Sequence, residues 1–356
     1  MSQRSLSSRE YAAVAQLLVR GPLTMRELGE MVDISQPAMR DLIGRLERAG
    51  VVTEAGVDGN TGRRGPQARQ YAAVASLTVI AAAEVQPGWA RVCLTDIAGE
   101  LRADSGRIED ERAEPLDLLL RAFDAAVTSG DVDRSAISHL VVATPGIVDG
   151  DGELVFVDSH VGWGTGLADA LARELDCDVR LENDLNLVAV AECRAGNGRD
   201  VDTLAVIWPE GPGASIVFDG RLIRGTHGYA GELGLVLNDD PDHVDLVARA
   251  ARMCLTVCAV IDPERILLAG DAATALGESF LSEVRARLVA ASPLRPDVEA
   301  AGFRRSGVIA GAIAAALDHA RVDCYGDIAA QQQLTPRVLT RWAAEDAREQ
   351  HEEAGR

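Results

Sequence analysis

Three successive stretches in the first 75 residues carry apolar positions at helical spacing. Between Ser8 and Arg20 the apolar residues fall on one helical face, and Gly21-Pro22 ends the pattern. Thr24, with Glu27 three residues later, predicts a capping box at the start of a second helix. A third helix begins at Ser35 and reaches Ala49, and its apolar positions are Met39, Leu42, Ile43 and Leu46.

Two apolar stretches after the third helix predict strands that flank a basic, glycine-rich tip. The strands cover residues 51–54 and 70–74, and the tip covers residues 61–66. Two helices joined by a tight turn, with this hairpin after them, predict a winged helix-turn-helix over residues 1–75. Its third helix would enter the major groove, while the arginines of the tip would lie against phosphates or in the minor groove. The expected DNA-binding residues are Ser35, Gln36, Arg40, Arg63 and Arg64. The alternative is a winged helix that makes only protein contacts.

Strand-like and helix-like stretches alternate from residue 76 to about residue 325. A strand meander followed by alternating helices and strands occurs twice, which predicts two α/β lobes with a ligand cleft between them. Residues 326–356 predict a helical tail, in which Val338, Leu339 and Trp342 could pack against the body or a partner subunit. The later strands are expected at 137–143, 178–181, 202–208, 214–218 and 265–269, and the helices at 115–128, 163–175, 186–194, 244–260, 274–290, 307–320 and 336–349.

The charge is distributed unevenly along the chain. The net charge is −20, but the segment through Ala75 has ten arginines against eight acids and so carries +2, which leaves −22 for the remainder. Any DNA contact is therefore expected in the first segment. No apolar run is long enough to span a bilayer, and the first residues do not resemble a secretion signal, so a cytoplasmic protein is expected. The six cysteines have no paired spacing and are expected to be reduced and mostly buried.

The run Leu181–Asp184 marks the expected centre of the cleft. It ends a strand-like stretch and opens a helix-like one, and open α/β sheets bind ligands at the carboxyl ends of their strands. Asp184 could act as a general base for a hydroxyl, while Asn183 holds a neighbouring hydroxyl. The alternative is that both residues only cap the following helix.

Three motifs cover residues 143–149 (ATPGIVD), 181–184 (LEND) and 219–234 (DGRLIRGTHGYAGELG). Together they resemble the ROK family of repressors, open reading frames and sugar kinases. The resemblance implies an actin-like ATPase fold, and ROK repressors also carry an N-terminal winged helix. It implies further that sugar hydroxyls are bound by Asn183 and Asp184, with Glu232 on the anomeric side and His227 nearby. The local alternatives are that Asn183 and Asp184 only cap the helix, that Glu232 is a surface acid, and that His227 is a turn residue.

The chain departs from the family pattern at both phosphate loops. The stretch aligned with the first loop contains Gln86 and Pro87, and the second loop reads Pro209-Glu210-Gly211-Pro212-Gly213. Prolines remove backbone donors, and a carboxylate would repel a nucleotide phosphate. We therefore expect no ATP and no kinase activity.

The zinc site of the family is also absent from the sequence. Leu235 stands where the family has a histidine, and the cysteine run is missing. The stretch 237–245 stands in place of that run, and it is interpreted as a helix start capped by Asp242, so no zinc and no other metal is expected. The alternative is that this acidic loop, which contains one histidine, binds a hard cation.

These observations converge on a DNA-binding transcriptional regulator, most simply a repressor of carbohydrate-related genes. Its partners would be a palindromic double-stranded operator, a sugar or sugar derivative, and further copies of the chain in a dimer or tetramer. Two alternatives stay open. One is an active ROK sugar kinase with an appended DNA-binding domain, and the other is a scaffold that binds DNA without any ligand.

Overall fold

The structure is a computed structural model that describes residues 5–57, 68–157, 163–237, 245–293, 296–304 and 306–354. Within these ranges, no helix is both long and apolar enough to cross a membrane. The six cysteines form no disulfide in the structure, and four of them are buried, as expected for most of them.

The first segment folds as the predicted winged helix. Its three helices enclose a small core that includes Tyr11, Leu28 and Leu46. The strands pair antiparallel in the order β1-β3-β2, and the first of them, only two residues long, was not predicted. The elements are α1 (Ser8–Arg20), β1 (Leu23–Thr24), α2 (Met25–Met31), α3 (Gln36–Arg48), β2 (Val52–Val57) and β3 (Arg69–Ala73). The tip between β2 and β3 lies outside the described residues.

The first lobe is built on a mixed sheet of order β11-β8-β4-β5-β6, and β7 also pairs with β5. The three strands β11, β8 and β4 run parallel, so that their carboxyl ends meet at one edge. The elements are β4 (Val79–Gln86), β5 (Trp89–Asp96), β6 (Leu101–Asp104), β7 (Ile108–Glu109), α4 (Pro115–Gly130), β8 (Ile137–Thr144), β9 (Ile147–Val148), β10 (Leu154–Phe156), α5 (Leu167–Leu175), β11 (Asp178–Asn183) and α6 (Asp184–Ala195).

The second lobe has a sheet of order β14-β13-β12-β15-β16. Its last strand, β16, pairs parallel with β15 and was not predicted from the sequence. Its elements are β12 (Thr203–Trp208), β13 (Gly213–Phe218), β14 (Arg221–Leu222), α7 (Leu246–Val260), β15 (Arg265–Leu268), α8 (Asp271–Ala291) and β16 (Asp297–Ala300). Two helices follow this lobe in the chain: α9 (Gly307–Tyr325), which packs on the first sheet, and α10 (Arg337–Ala354), which forms the C-terminal tail.

The cap predicted for α7 is corrected by the structure. Asp245, and not Asp242, is its N-cap, because the Asp245 carboxylate accepts a hydrogen bond from the backbone nitrogen of Ala248 at 3.0 Å. Asp242 lies outside the described residues.

Two helices, α6 and α9, pack closely against each other in the interior. Gly311 of α9 faces the backbone of Leu187 in α6 so closely that a Cβ would overlap the Leu187 carbonyl oxygen. Helix α9 also covers β4 and β8 of the first sheet, whereas α6 contacts β12 and β13 of the second. Since α6 begins at Asp184, the close packing fixes where the central motif stands between the two sheets.

Candidate functional site

The N-terminal part of α3 presents an exposed polar face. Ser35 is the N-cap, but its side chain makes no capping hydrogen bond, and both Gln36 and Arg40 are exposed. Gln36 Nε2 donates to the Met25 carbonyl oxygen at 3.4 Å, which ties this end of α3 to α2. The Arg40 guanidinium makes no hydrogen bond or ion pair with any residue that the structure describes. Its donors are therefore available to an external acceptor such as a base edge or a phosphate.

The two wing arginines expected to contact DNA, Arg63 and Arg64, lie outside the described residues. Their role stays a prediction, as does that of Ser35, Gln36 and Arg40.

Asn183 performs the capping role that the sequence left open. Its Oδ1 accepts from the backbone nitrogen of Asn186 at 3.0 Å, as an N-cap residue does. Its Nδ2 donates to the carbonyl oxygen of Gly146 at 2.8 Å. Asn183 therefore joins the second motif to the first, and this arrangement already uses both ends of its amide.

Asp184 is the first residue of α6, and its carboxylate accepts hydrogen bonds from two donors. Its Oδ1 accepts from the backbone nitrogen of Leu185 at 2.8 Å, and its Oδ2 accepts from Gln86 Nε2 at 3.0 Å. Gln86 ends β4, the strand two places from β11 in the sheet. Sequence spacing did not predict this contact, because the two residues are 98 positions apart.

An ion pair between Glu182 and Arg224 holds the third motif against the second. Glu182 Oε2 accepts from Arg224 Nε at 2.7 Å, while Oε1 accepts from Asn186 Nδ2 at 2.8 Å. Asn186 in turn accepts from Ser215 Oγ at 2.9 Å through its own Oδ1. These four residues were not among the predicted site residues, although they link β11, α6 and β13.

Two glycines with positive φ allow the third motif to approach the rest of the site. Gly228 has φ 80°, and a Cβ there would overlap the Val148 carbonyl oxygen. Gly231 has φ 92°, and a Cβ there would overlap the carbonyl oxygen of Ala214. Both positions therefore require glycine. They place His227 on an exposed turn and Glu232 in a half-buried position near Asp184.

Comparison with known proteins agrees with this arrangement of motifs. Residues 89–245 match the model of the ROK family, and residues 12–53 match the model of winged helix-turn-helix DNA-binding domains. Residues 89–245 therefore resemble the ROK family, and the preceding residues 12–53 resemble a winged helix-turn-helix. Because of this match, the two-lobed part of the chain that follows the winged helix is called the ROK domain below.

One curated relative is the xylose repressor of Bacillus subtilis (strain 168). It is 22% identical over 222 residues, which cover 62% of this chain and 57% of that protein. The chain thus spans little more than half the length of this relative.

Solved structures share the fold. A ROK family transcriptional regulator, described as a homolog of the E. coli MLC protein, aligns with a TM-score of 0.62 at 17% identity, over 91% of this chain and 99% of that one. The ROK hexokinase from Thermus thermophilus aligns with a TM-score of 0.56 at 18% identity, over 68% of this chain and 99% of that one. The predicted fold class, a winged helix-turn-helix followed by a two-lobed ROK domain, is confirmed.

Three carboxylates lie close enough to influence each other's pKa around the second motif. Burial, and then the charge of Asp184, raises the pKa of Glu84 to about 7, against the smaller effects of Arg107 and Arg91. Burial also raises the pKa of Asp184, although the hydrogen bond from Gln86 lowers it. The pKa of Glu232 is raised by burial first and by Asp184 second. The described residues contain no group of three His, Cys, Asp or Glu side chains arranged to hold a metal ion.

The stretch that aligns with the second phosphate loop of the family contains a carboxylate bound to the start of a helix. Glu210 Oε1 accepts from the backbone nitrogen of Ala272 at 2.5 Å, in the first turn of α8. Helix N-termini attract anions because their first backbone N–H groups are unpaired and the helix dipole is positive there. The chain's own carboxylate thus takes a position suited to an anion. Nearby, Arg249 Nη1 donates to the Pro209 carbonyl oxygen at 3.1 Å and holds the loop from the other side.

Proposed function

We propose that this protein is a DNA-binding transcriptional regulator, acting as a repressor of carbohydrate-related genes, whose ROK domain senses a sugar or sugar derivative without phosphorylating it. The proposal is carried by one combination of features. Arg40 on α3 is exposed and makes no polar contact with the described residues, and both stretches aligned with the family's phosphate loops bind other parts of the chain, through Gln86 and Glu210. The name of the xylose repressor supports a sugar-responsive regulator.

The first support for a domain without kinase activity is the contact between Gln86 and Asp184. A kinase base must accept a proton from a sugar hydroxyl while the phosphoryl group is held opposite. In this chain Asp184 accepts a hydrogen bond from the very loop that would hold the phosphates. The second support is Glu210, whose negative charge at α8 would repel a phosphate.

The polar residues of the cleft support a ligand rich in hydroxyl groups. Asp184 and Glu232 are half-buried carboxylates that can accept hydrogen bonds from sugar hydroxyls, and His227 lies on the neighbouring turn. Asn183 is bound within the chain at both ends of its amide, so in this proposal it would bind a hydroxyl only in addition to those contacts. Such a ligand can alter DNA binding only by its different affinity for two arrangements of the lobes. The regulator would act as a dimer or tetramer, because a palindromic operator offers two equivalent half-sites.

Operator binding is tested by selecting genomic fragments with the full chain and measuring affinity for the selected sequence. Arg40→Ala should weaken binding by about 1–3 kcal/mol, whereas Arg112→Ala, an exposed arginine of the first lobe, should not. Equal affinities for the two variants at several salt concentrations would mean that α3 is not the reading helix.

The sensing role is tested separately with a panel of sugars and sugar phosphates. One or more should shift the melting temperature of the protein and release it from the operator, and Asp184→Asn should abolish both effects. If no sugar changes either measurement, the scaffold alternative is preferred. ATP-dependent phosphorylation of a hexose that disappears in Asp184→Asn would favour the kinase alternative instead.

A further inference from the structure

One side chain of the C-terminal tail bridges the winged helix and the ROK domain. Arg337, the first residue of α10, donates from Nε to the Leu18 carbonyl oxygen at 2.7 Å and from Nη2 to that of Leu17 at 2.8 Å. Its Nη1 lies 3.4 Å from Oε1 of Glu100, in the first lobe. A guanidinium at the C-terminus of α1 also complements the negative end of that helix. Arg337 therefore holds two domains at once.

The backbone next to Arg337 is fixed to the first lobe. The Val338 nitrogen donates to the Gly99 carbonyl oxygen at 3.0 Å. Gly99 has φ 81°, and a Cβ there would lie 2.7 Å from Pro336 Cβ, so the turn and the tail are in direct contact. The first lobe thus holds the backbone beside Arg337, and the side chain of Arg337 extends from there to α1.

A second set of contacts joins α1 to α9. The Leu6 nitrogen donates to the Tyr325 carbonyl oxygen at 3.0 Å, and the rings of Tyr11 and Tyr325 lie 5.9 Å apart at 51°. Leu17, Leu18, Val338 and Leu339 belong to one continuous buried cluster. The winged helix is thus docked on the ROK domain, and the linker at residues 75–78 is only one of its connections.

The expected reading helix α3 is joined to α1 by an ion pair and a shared core. Arg45 of α3 forms an ion pair with Glu10 of α1, with 2.9 Å between Nε and Oε1, and the apolar faces of both helices share one core. Any change in the angle between α1 and the first lobe therefore moves α3 by the same rotation.

We propose that Arg337 is a positioning residue for operator recognition, which sets the separation of the two α3 helices in the regulator and so the half-site spacing that it accepts. This inference rests on the proposed function. Two reading helices bind together only when their separation matches the half-sites, roughly 34 Å for one DNA turn. An arginine suits the role because its planar fork can donate to two carbonyl oxygens and a carboxylate together, which a lysine ammonium cannot do in the same geometry.

The test compares Arg337→Ala and Arg337→Lys with Arg341→Ala in the full chain. Arg341 lies one turn further along α10, is exposed, and has no hydrogen-bond or ion-pair partner among the described residues. Affinity is measured for a single half-site and for paired half-sites whose spacer is varied base pair by base pair. Arg337→Ala should keep the half-site affinity within about twofold of the wild type. It should reduce the ratio of the affinity for the optimal spacer to that for other spacers about tenfold. Arg337→Lys should lie between, and Arg341→Ala should match the wild type.

Hydrogen exchange without DNA provides a readout that does not depend on the proposed function. Arg337→Ala should speed exchange in α1 and in the turn at residues 97–100, and Arg341→Ala should not. An unchanged spacer profile in a folded Arg337→Ala variant, or unchanged exchange in both segments, overturns the inference. If the wild type binds neither a half-site nor paired half-sites at any spacer, the proposed function fails, and faster exchange in the variant would still support the bridge.

Discussion

Gln86 Nε2 donates a hydrogen bond to Asp184 Oδ2 across 3.0 Å, so that the first phosphate loop and the expected base of the ROK domain are bound to each other. The contact stabilises the carboxylate of Asp184 against the burial that raises its pKa. This contact is the structural support for the proposal that the domain senses a ligand without transferring a phosphoryl group to it.

A double-mutant cycle on this pair should measure a coupling of about 1–2 kcal/mol at pH 8, as expected for a hydrogen bond to a charged group. The variants are Gln86→Ala, Asp184→Asn and their combination, and the measurement is the free energy of unfolding in urea. The coupling should decrease at acidic pH, since protonation of Asp184 removes the charge that strengthens the bond. Additive single effects at pH 8 would show that the two side chains do not interact in solution.

Removal of the Glu210 carboxylate should open an anion site at the start of α8. Glu210→Ala frees the Ala272 nitrogen that now donates to Glu210 Oε1, and the loss of this cap should cost about 0.5–2 kcal/mol. Sulfate or inorganic phosphate should then raise the melting temperature of the variant much more than that of the wild type. Glu278→Ala, which removes an exposed acid further along α8, serves as the control and should respond like the wild type. If sulfate or phosphate raised the melting temperature of all three proteins equally, the Glu210 carboxylate would not be occupying an anion site at the start of α8.

Local patterns in the sequence predicted most helices and strands, whereas contacts between residues far apart in the sequence were not predicted. The capping box of α2 is present as predicted, with Thr24 N donating to Glu27 Oε2 at 2.8 Å. Strand β16 was missed because Asp297–Ala300 has only four residues and gains its pairing from β15. The sequence placed Asp184 at a strand end, but it could not reveal the bond from Gln86, because residue spacing says nothing about two loops that the sheet brings together.

The stability of the protein should fall with rising pH through the titration of Glu84. Its pKa is about 7 in the folded protein, against an ordinary value of 4.5, so the folded chain keeps a proton that the unfolded chain has released between those values. The contribution to stability is thus complete below pH 4.5 and is lost as the pH rises through 7. A pKa difference of this size corresponds to at most about 3 kcal/mol.

Glu84→Gln should therefore be more stable than the wild type at pH 8 and should have a flatter stability curve between pH 5 and pH 8. Urea unfolding at a series of pH values measures both effects. The control is Glu109→Gln, an exposed position on β7, which should keep the wild-type slope. A Glu84→Gln variant with the same pH dependence as the wild type would show that Glu84 is not the titrating group.

A pair of glycine-to-alanine substitutions should separate helix propensity from the close packing of α6 and α9. Gly311→Ala would place a methyl group into the Leu187 carbonyl oxygen, so the two helices must move apart, at a cost of about 1–3 kcal/mol. Gly44, also within a helix, has open space where an added methyl group would stand, and Gly44→Ala should stabilise the fold by about 0.5–1 kcal/mol. Because α6 begins at Asp184, Gly311→Ala should also weaken the binding of any sugar in the cleft, whereas Gly44→Ala should not. Urea unfolding and sugar titration of both variants measure the two effects. A stable Gly311→Ala variant with unchanged sugar affinity would mean that the packing of α6 on α9 does not position the sugar-binding residues.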